Sequence, residues 1–91
     1  MQYMATISLD LAQRSEIERT IPAEQARVAE LHRQGRLEAR YVPDGTGAPA
    51  RLWAVFNGDS PEAVQNTLQS LPLYPFMRVD LAPLRPLGEA A

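Results

Sequence analysis

Four short runs of this chain alternate apolar and polar residues with period two, and the two longer stretches between them repeat apolar residues at helical spacing. That order restricts the fold more than any other feature. Tyr3, Ala5, Ile7 and Leu9 alternate with Met4, Thr6 and Ser8, the pattern of a strand with a semi-polar second face. Leu37, Ala39 and Tyr41 alternate with Arg36, Glu38 and Arg40, which predicts a second strand. Arg51 to Phe56 predicts a third. Met77, Val79 and Leu81, alternating with Arg78 and Asp80, predict a fourth. The segment from Pro43 to Pro49 is dense in turn formers and reads as a hairpin loop. So short a connection pairs the second and third strands antiparallel.

The helical stretches carry their own punctuation. Asp10 to Arg19 is polar and mixed, and reads as a loop or an irregular helical lead-in. Pro22 fits the first turn of a helix, where its missing N–H costs nothing. That helix runs through Leu31 and stops at Gly35, a good residue just beyond a helix end. Ser60-Pro61-Glu62 supplies an N-cap, a proline at the first helical position and an acid in the first turn. Val64, Leu68 and Leu71 then form an apolar stripe, and Pro72 and Pro75 end the helix. The tail from about Pro83 has two prolines and little pattern, so it is expected to wrap a neighbour or fray.

The predicted order is βαββαβ, the split βαβ or ferredoxin-like plan of an α+β domain. Two helices cover one face of a four-stranded antiparallel sheet. With 91 residues there is room for one domain, and residues 1–91 are read as such. Apolar groups fall on both sheet faces. Met4, Val42, Trp53 and Val55 share one parity, and Tyr3, Tyr41, Leu52 and Phe56 the other. A solvated face is normally polar, so the second face is expected to be buried by another copy of the chain.

Composition removes several functional classes. There is no cysteine, which excludes disulfides, thiolate metal sites and a cysteine nucleophile. The lone histidine, His32, cannot form a His cluster for a metal. The net charge is −2 and the charges are mixed along the chain, so no basic stripe exists to track nucleic acid. No apolar run approaches the roughly 20 residues of a membrane helix. The segment MQYMATISLDL lacks the charged head of a signal peptide, and a cytoplasmic location is expected.

One residue breaks the apolar pattern of the first helix. Ile17, Ile21, Val28 and Leu31 lie on one side, and the position that completes this seam is Glu24. A carboxylate pointing toward the sheet has its charged form disfavoured and its pKa raised. A general base for carbon-acid chemistry needs that environment. On the residues alone a second reading stands beside it: Glu24 on the shoulder of the seam, reaching solvent or paired with an arginine such as Arg40.

The segment Leu71-Pro72-Leu73-Tyr74-Pro75-Phe76-Met77 resembles the LPL-aromatic-P-aromatic-M signature of muconolactone isomerases, and it sits in the same place, between the second helix and the last strand. Ser60-Pro61-Glu62-Ala63 with Asn66-Thr67-Leu68, and Leu31-His32-Arg33-Gln34-Gly35, are similar to the start of that family's second helix and the end of its first. The likeness runs from Gln2 to about Leu84. It implies a ferredoxin-like subunit of the dimeric α+β barrel kind, assembly into dimers and often decamers, and no metal or cofactor. It also implies that Glu24 is the base, since the family keeps a glutamate at this distance before the glycine.

Three departures accompany the likeness. Val42 stands where the family has an arginine, Met4 where a histidine is common, and the hairpin loop is longer. They point to a substrate larger or less acidic than muconolactone, as in a natural-product pathway. The expected activity is a cofactor-free isomerase moving a proton between two carbons of an unsaturated lactone or related small carbonyl compound. Glu24 is the base and Arg40 the oxyanion partner, and Tyr3, Tyr41, Arg51 and Trp53 are candidates for binding the substrate. His32 is expected to be exposed near the helix end, and Tyr74 and Phe76 to pack at a subunit contact. Two other classes share the fold: a cofactor-free monooxygenase or cyclase acting on aromatic polyketides, and a non-catalytic oligomeric binding subunit.

Overall fold

The computed structural model describes residues 1–45 and 50–88. Its elements are β1 (Gln2–Leu9), a 3₁₀ turn (Leu11–Gln13), α1 (Arg14–Arg33), β2 (Leu37–Tyr41), β3 (Arg51–Asn57), α2 (Pro61–Gln69), a second 3₁₀ turn (Tyr74–Phe76) and β4 (Met77–Leu84). The sheet order is β2-β3-β1-β4, antiparallel throughout. This is the ferredoxin-like plan. Part of the expected hairpin loop, residues 46–49, lies outside the described residues.

One face of the sheet carries Tyr3, Ala5 and Ile7 from β1, Leu37 from β2, and Ala54 and Phe56 from β3. Val28 and Leu31 of α1 and Val64 and Leu68 of α2 close over it, all but excluded from solvent. The period-two and period-3.6 patterns therefore meet in one core. Gly58 makes room for the second helix, because a Cβ there would stand 2.7 Å from Cγ2 of Val64.

Four expectations need correction. Helix α1 begins at Arg14, so Pro22 lies inside it rather than in its first turn. Ile17, only 7% exposed, is the reason: its burial on the core side carries the helix back past the proline. Pro22 itself is exposed, so water can reach the carbonyl that loses its donor. Ile21, placed on the inner seam, is 38% exposed. The strand β4 continues through Pro83 to Leu84, paired with Tyr3 and Gln2, so the expected tail starts later than Pro83. Pro83 is accommodated because β4 is an edge strand and needs no donor on its outer side.

The fourth correction matters most for the site. Strict alternation along β2 puts Tyr41 on the same face as Leu37 and turns Arg40 away. A register shift between Leu37 and Ala39 breaks that alternation. Leu37 pairs with Phe56, but Ala39 pairs with Val55, Arg40 with Ala54 and Tyr41 with Trp53. One extra residue flips every side chain that follows it. Arg40 thus joins the helix side of the sheet, and Tyr41 joins Trp53 on the open side.

The end of α1 is fixed just before this bulge. Gly35, at φ 73°, donates to the His32 carbonyl, and Arg36 N–H donates to the Leu31 carbonyl. The two bonds form a Schellman cap, which needs the left-handed conformation glycine adopts freely. The Asn57 side chain donates to the Gly35 carbonyl at 2.9 Å and ties the cap to β3.

Candidate active site

Glu24 is 8% exposed, on the inward face of α1 with Ile17, Val28 and Leu31. Its partner follows from the backbone of the turn after α2. Pro72 and Pro75 have no amide hydrogen. Tyr74 N–H donates to the Leu71 carbonyl and Phe76 N–H to the Leu73 carbonyl. The amide of Leu73 has no such carbonyl, and a buried N–H needs an acceptor. It donates to Glu24 Oε1 at 2.9 Å. The LPL segment therefore holds one oxygen of the carboxylate. Among the described residues no fully buried side-chain oxygen or nitrogen lacks a partner, so the other oxygen, Oε2, is open to the adjoining space.

Burial pushes the Glu24 carboxyl above its ordinary value of 4.5; the Leu73 amide and the positive charge of Arg40 pull the other way and are outweighed. Arg40 acts at a distance. The ion pairs among the described residues are Glu16–Arg19 and Glu30–Arg33, both on the surface of α1. The alternative of a Glu24–Arg40 ion pair is therefore not what the fold forms.

Glu24 faces a small cavity of about 70 Å³ between α1 and the sheet. Apolar side chains wall it, among them Leu9, Leu52, Leu73 and Met77, and its polar groups are Glu24 and Arg40. Arg40 and Leu52 also line an open groove of about 460 Å³ shared with His32, Tyr41 and Val42. The cavity and the groove thus share the Arg40–Leu52 edge. A larger polar cleft of about 640 Å³ lies at the Gln2–Asn57 end of the sheet, with Arg27, Arg36 and Asp59 in its walls. Its acid, Asp59, is exposed.

The fold brings together some of the residues singled out from the sequence and separates others. Glu24 and Arg40 meet in the cavity, and Tyr41 lies in the groove outside it. Tyr3 is a core residue, 2% exposed, its hydroxyl near Met1 Sδ. Arg51 is exposed and pairs with Ser8 on the open side. Trp53 is half-buried on the open side, between Thr6 and Tyr41. None of these three lines the cavity. His32 is exposed, as expected, and stands at the groove. Tyr74 is half-buried and its hydroxyl accepts from Gln65 Nε2 at 2.8 Å. Sequence reasoning did not assign the Leu73 amide, Leu52 or Met77 to the site. The two prolines flanking Leu73 were the available signal for the first.

The model of the muconolactone delta-isomerase family matches residues 1–89. The chain belongs to that family. A solved muconolactone isomerase, at 3.3 Å resolution, superimposes with a TM-score of 0.68 at 21% identity, covering 100% of this chain and 96% of that one. The 5-chloro-2-hydroxyhydroquinone dehydrochlorinase from Burkholderia phenoliruptrix AC1100, in complex with 2,5-dihydroxybenzoquinone, superimposes with a TM-score of 0.75 at 11% identity, covering 93% of this chain and 94% of that one. No curated protein matches by sequence. Both structural likenesses show the fold. Membership of the muconolactone delta-isomerase family makes the chain a small-molecule enzyme of that fold. No helix among the described residues is long and apolar enough to cross a membrane.

Proposed function

We propose that this member of the muconolactone delta-isomerase family is a cofactor-free isomerase acting on an unsaturated lactone or related small carbonyl compound. The observation that carries the reading is Glu24: a carboxylate in an apolar cavity, held through one oxygen, with its pKa raised by burial. Such a group, once ionised, is a stronger base than an ordinary solvated carboxylate. Oε2 removes a proton from the carbon next to the ring double bond. The electron pair moves through the conjugated system onto the carbonyl oxygen and gives a dienolate. Arg40 supplies the positive charge that faces this oxyanion. Glu24, now protonated, returns the same proton to the carbon alpha to the carbonyl, and the double bond ends one position along. One base serves both transfers, so no second acid is required.

A carbon-acid assay tests this directly. Incubating an unsaturated lactone in deuterium oxide and following its ring protons by NMR should show enzyme-dependent exchange or transposition that Glu24→Gln abolishes. Exchange that survives in the variant removes Glu24 as the base. Oxygen uptake with no such exchange replaces the isomerase reading with that of a monooxygenase.

The open face of the sheet supports a homo-oligomer. Met4, Trp53 and Val55 are half-buried there. A second copy laid on this face covers them. Light scattering at micromolar concentration should give at least a dimer, and a compact monomer refutes the assignment.

A further inference from the structure

We propose that the site takes a fused or aryl-bearing ring lactone edge-on: its reacting edge enters the cavity between Glu24 and Arg40, and its remaining part, apolar and uncharged, lies in the outer groove. The inference rests on the reading of Glu24 as the group facing substrate, and adds the substrate's size and charge.

Volume supplies the first argument. A closed apolar cavity that holds one benzene measures about 150 Å³. The cavity at Glu24 is about 70 Å³, roughly half of that. It admits the edge of a ring and no more, so a ligand that reaches Glu24 must extend outward. The way out is the edge shared with the groove, because Arg40 and Leu52 wall both spaces. The groove, at about 460 Å³, falls in the ordinary range of small-molecule sites.

Charge supplies the second. Tyr41 and Val42 are among the large apolar side chains left exposed, at 56% and 59%, and with Leu52 they supply the apolar part of a groove wall that His32 and Arg40 complete. Among the described residues the only arginine lining either space is Arg40, which lines both. It can serve one anionic oxygen, the one that develops on the reacting carbonyl. A carboxylate carried farther out would lie beside Tyr41 and Val42 with the exposed His32 as its nearest basic group and without the bidentate partner an arginine supplies. The favoured ligand therefore has one acidic oxygen and an apolar trailing ring.

Binding tests this without turnover. Tetronic acid and hydroxycoumarin are both cyclic lactones with a stable enolate that imitates the dienolate, and the second adds a fused benzo ring. Calorimetry on the wild-type protein should give hydroxycoumarin about tenfold or more tighter binding than tetronic acid. A hydroxycoumarin carrying a carboxylate on the benzo ring should bind about tenfold or more weaker than the parent. Val42→Arg, at an exposed position that spares the core, should reverse that second difference. Equal affinities for the two parent lactones, tighter binding of the carboxylated compound by wild type, or indifference to Val42→Arg each overturn the proposal. The outcome is independent of the exchange assay. Loss of exchange with the ring preference intact refutes the isomerase reading alone, and exchange without the preference refutes the edge-on ligand alone.

Discussion

Replacing Glu24 by glutamine and by alanine separates its charge from its hydrogen bond. Both substitutions remove the buried charge. Glutamine keeps a side-chain oxygen that can accept from the Leu73 amide; alanine leaves that amide without a partner. The difference between the variants is then an orphaned buried donor, about 1–3 kcal/mol, plus one lost methylene, about 0.8 kcal/mol. Alanine should therefore be less stable than glutamine by about 2–4 kcal/mol. For a domain of this size, each kcal/mol moves the melting temperature by about 4–8 °C, so the two should differ by roughly 10–30 °C.

The comparison with wild type has a sign set by linkage. A carboxyl whose folded pKa is raised favours its neutral form in the fold. Wild type therefore loses stability, relative to glutamine, as pH rises from the unfolded value of 4.5 through the raised folded one, and the gap is constant above it. Thermal melts of the three proteins from pH 4 to 8, at one protein concentration because assembly shifts the midpoint, give both quantities. Glutamine that destabilises increasingly as pH rises, or alanine that melts with glutamine, refutes the account of Glu24 as a buried carboxylate held by the Leu73 amide.

Three further outcomes follow from the same geometry. Arg40→Gln removes a charge that pulls the Glu24 pKa down, so the acid limb of kcat/KM should move to higher pH and the rate at the plateau should fall; an unmoved limb means Arg40 does not act on Glu24. Deleting Glu38 removes the extra residue of the β2 bulge and leaves Leu37 opposite Phe56 and Arg40 opposite Ala54, so Arg40 stays inward and turnover should be retained with native circular dichroism; loss of turnover in a folded variant shows that the bulge itself, and not the pairing with Ala54, orients the arginine. Trp53→Ala should weaken assembly by about 3 kcal/mol, within the range for truncating a buried aromatic, and identical concentration dependence of melting would place the ring at a rim.

The order of elements was readable because it depends on side-chain periodicity, which tertiary packing here reinforces. Glu24 was readable for the same reason: a carboxylate interrupted a seam that Ile17, Val28 and Leu31 otherwise complete. The start of α1 was not, because Pro22 is a stronger local signal than the single buried Ile17 beyond it. Nor was the inward turn of Arg40. A bulge changes phase without changing composition, so strict alternation groups Tyr41 with Leu37 and does not carry the change of face that brings Arg40 to the cavity. Tyr3, Arg51 and Trp53 were chosen by residue type, and side-chain chemistry alone does not say whether a group meets a cavity, the core or the open face. The Leu73 amide belongs to the backbone, and only the hydrogen bonds of the folded turn show that it needs an acceptor.

Every residue but proline carries an amide, so the tether that steadies Glu24 is indifferent to the side chain at position 73. Substitution there can reshape the cavity wall while leaving the carboxylate hitched in place. Length is another matter. An insertion or deletion between Pro72 and Pro75 changes which amide lies between the prolines and which carbonyls its neighbours reach, and so releases the carboxylate. A lineage built on this turn can vary its substrate by point mutation near the base, whereas a one-residue frame change in four positions of backbone removes the base's alignment at a stroke.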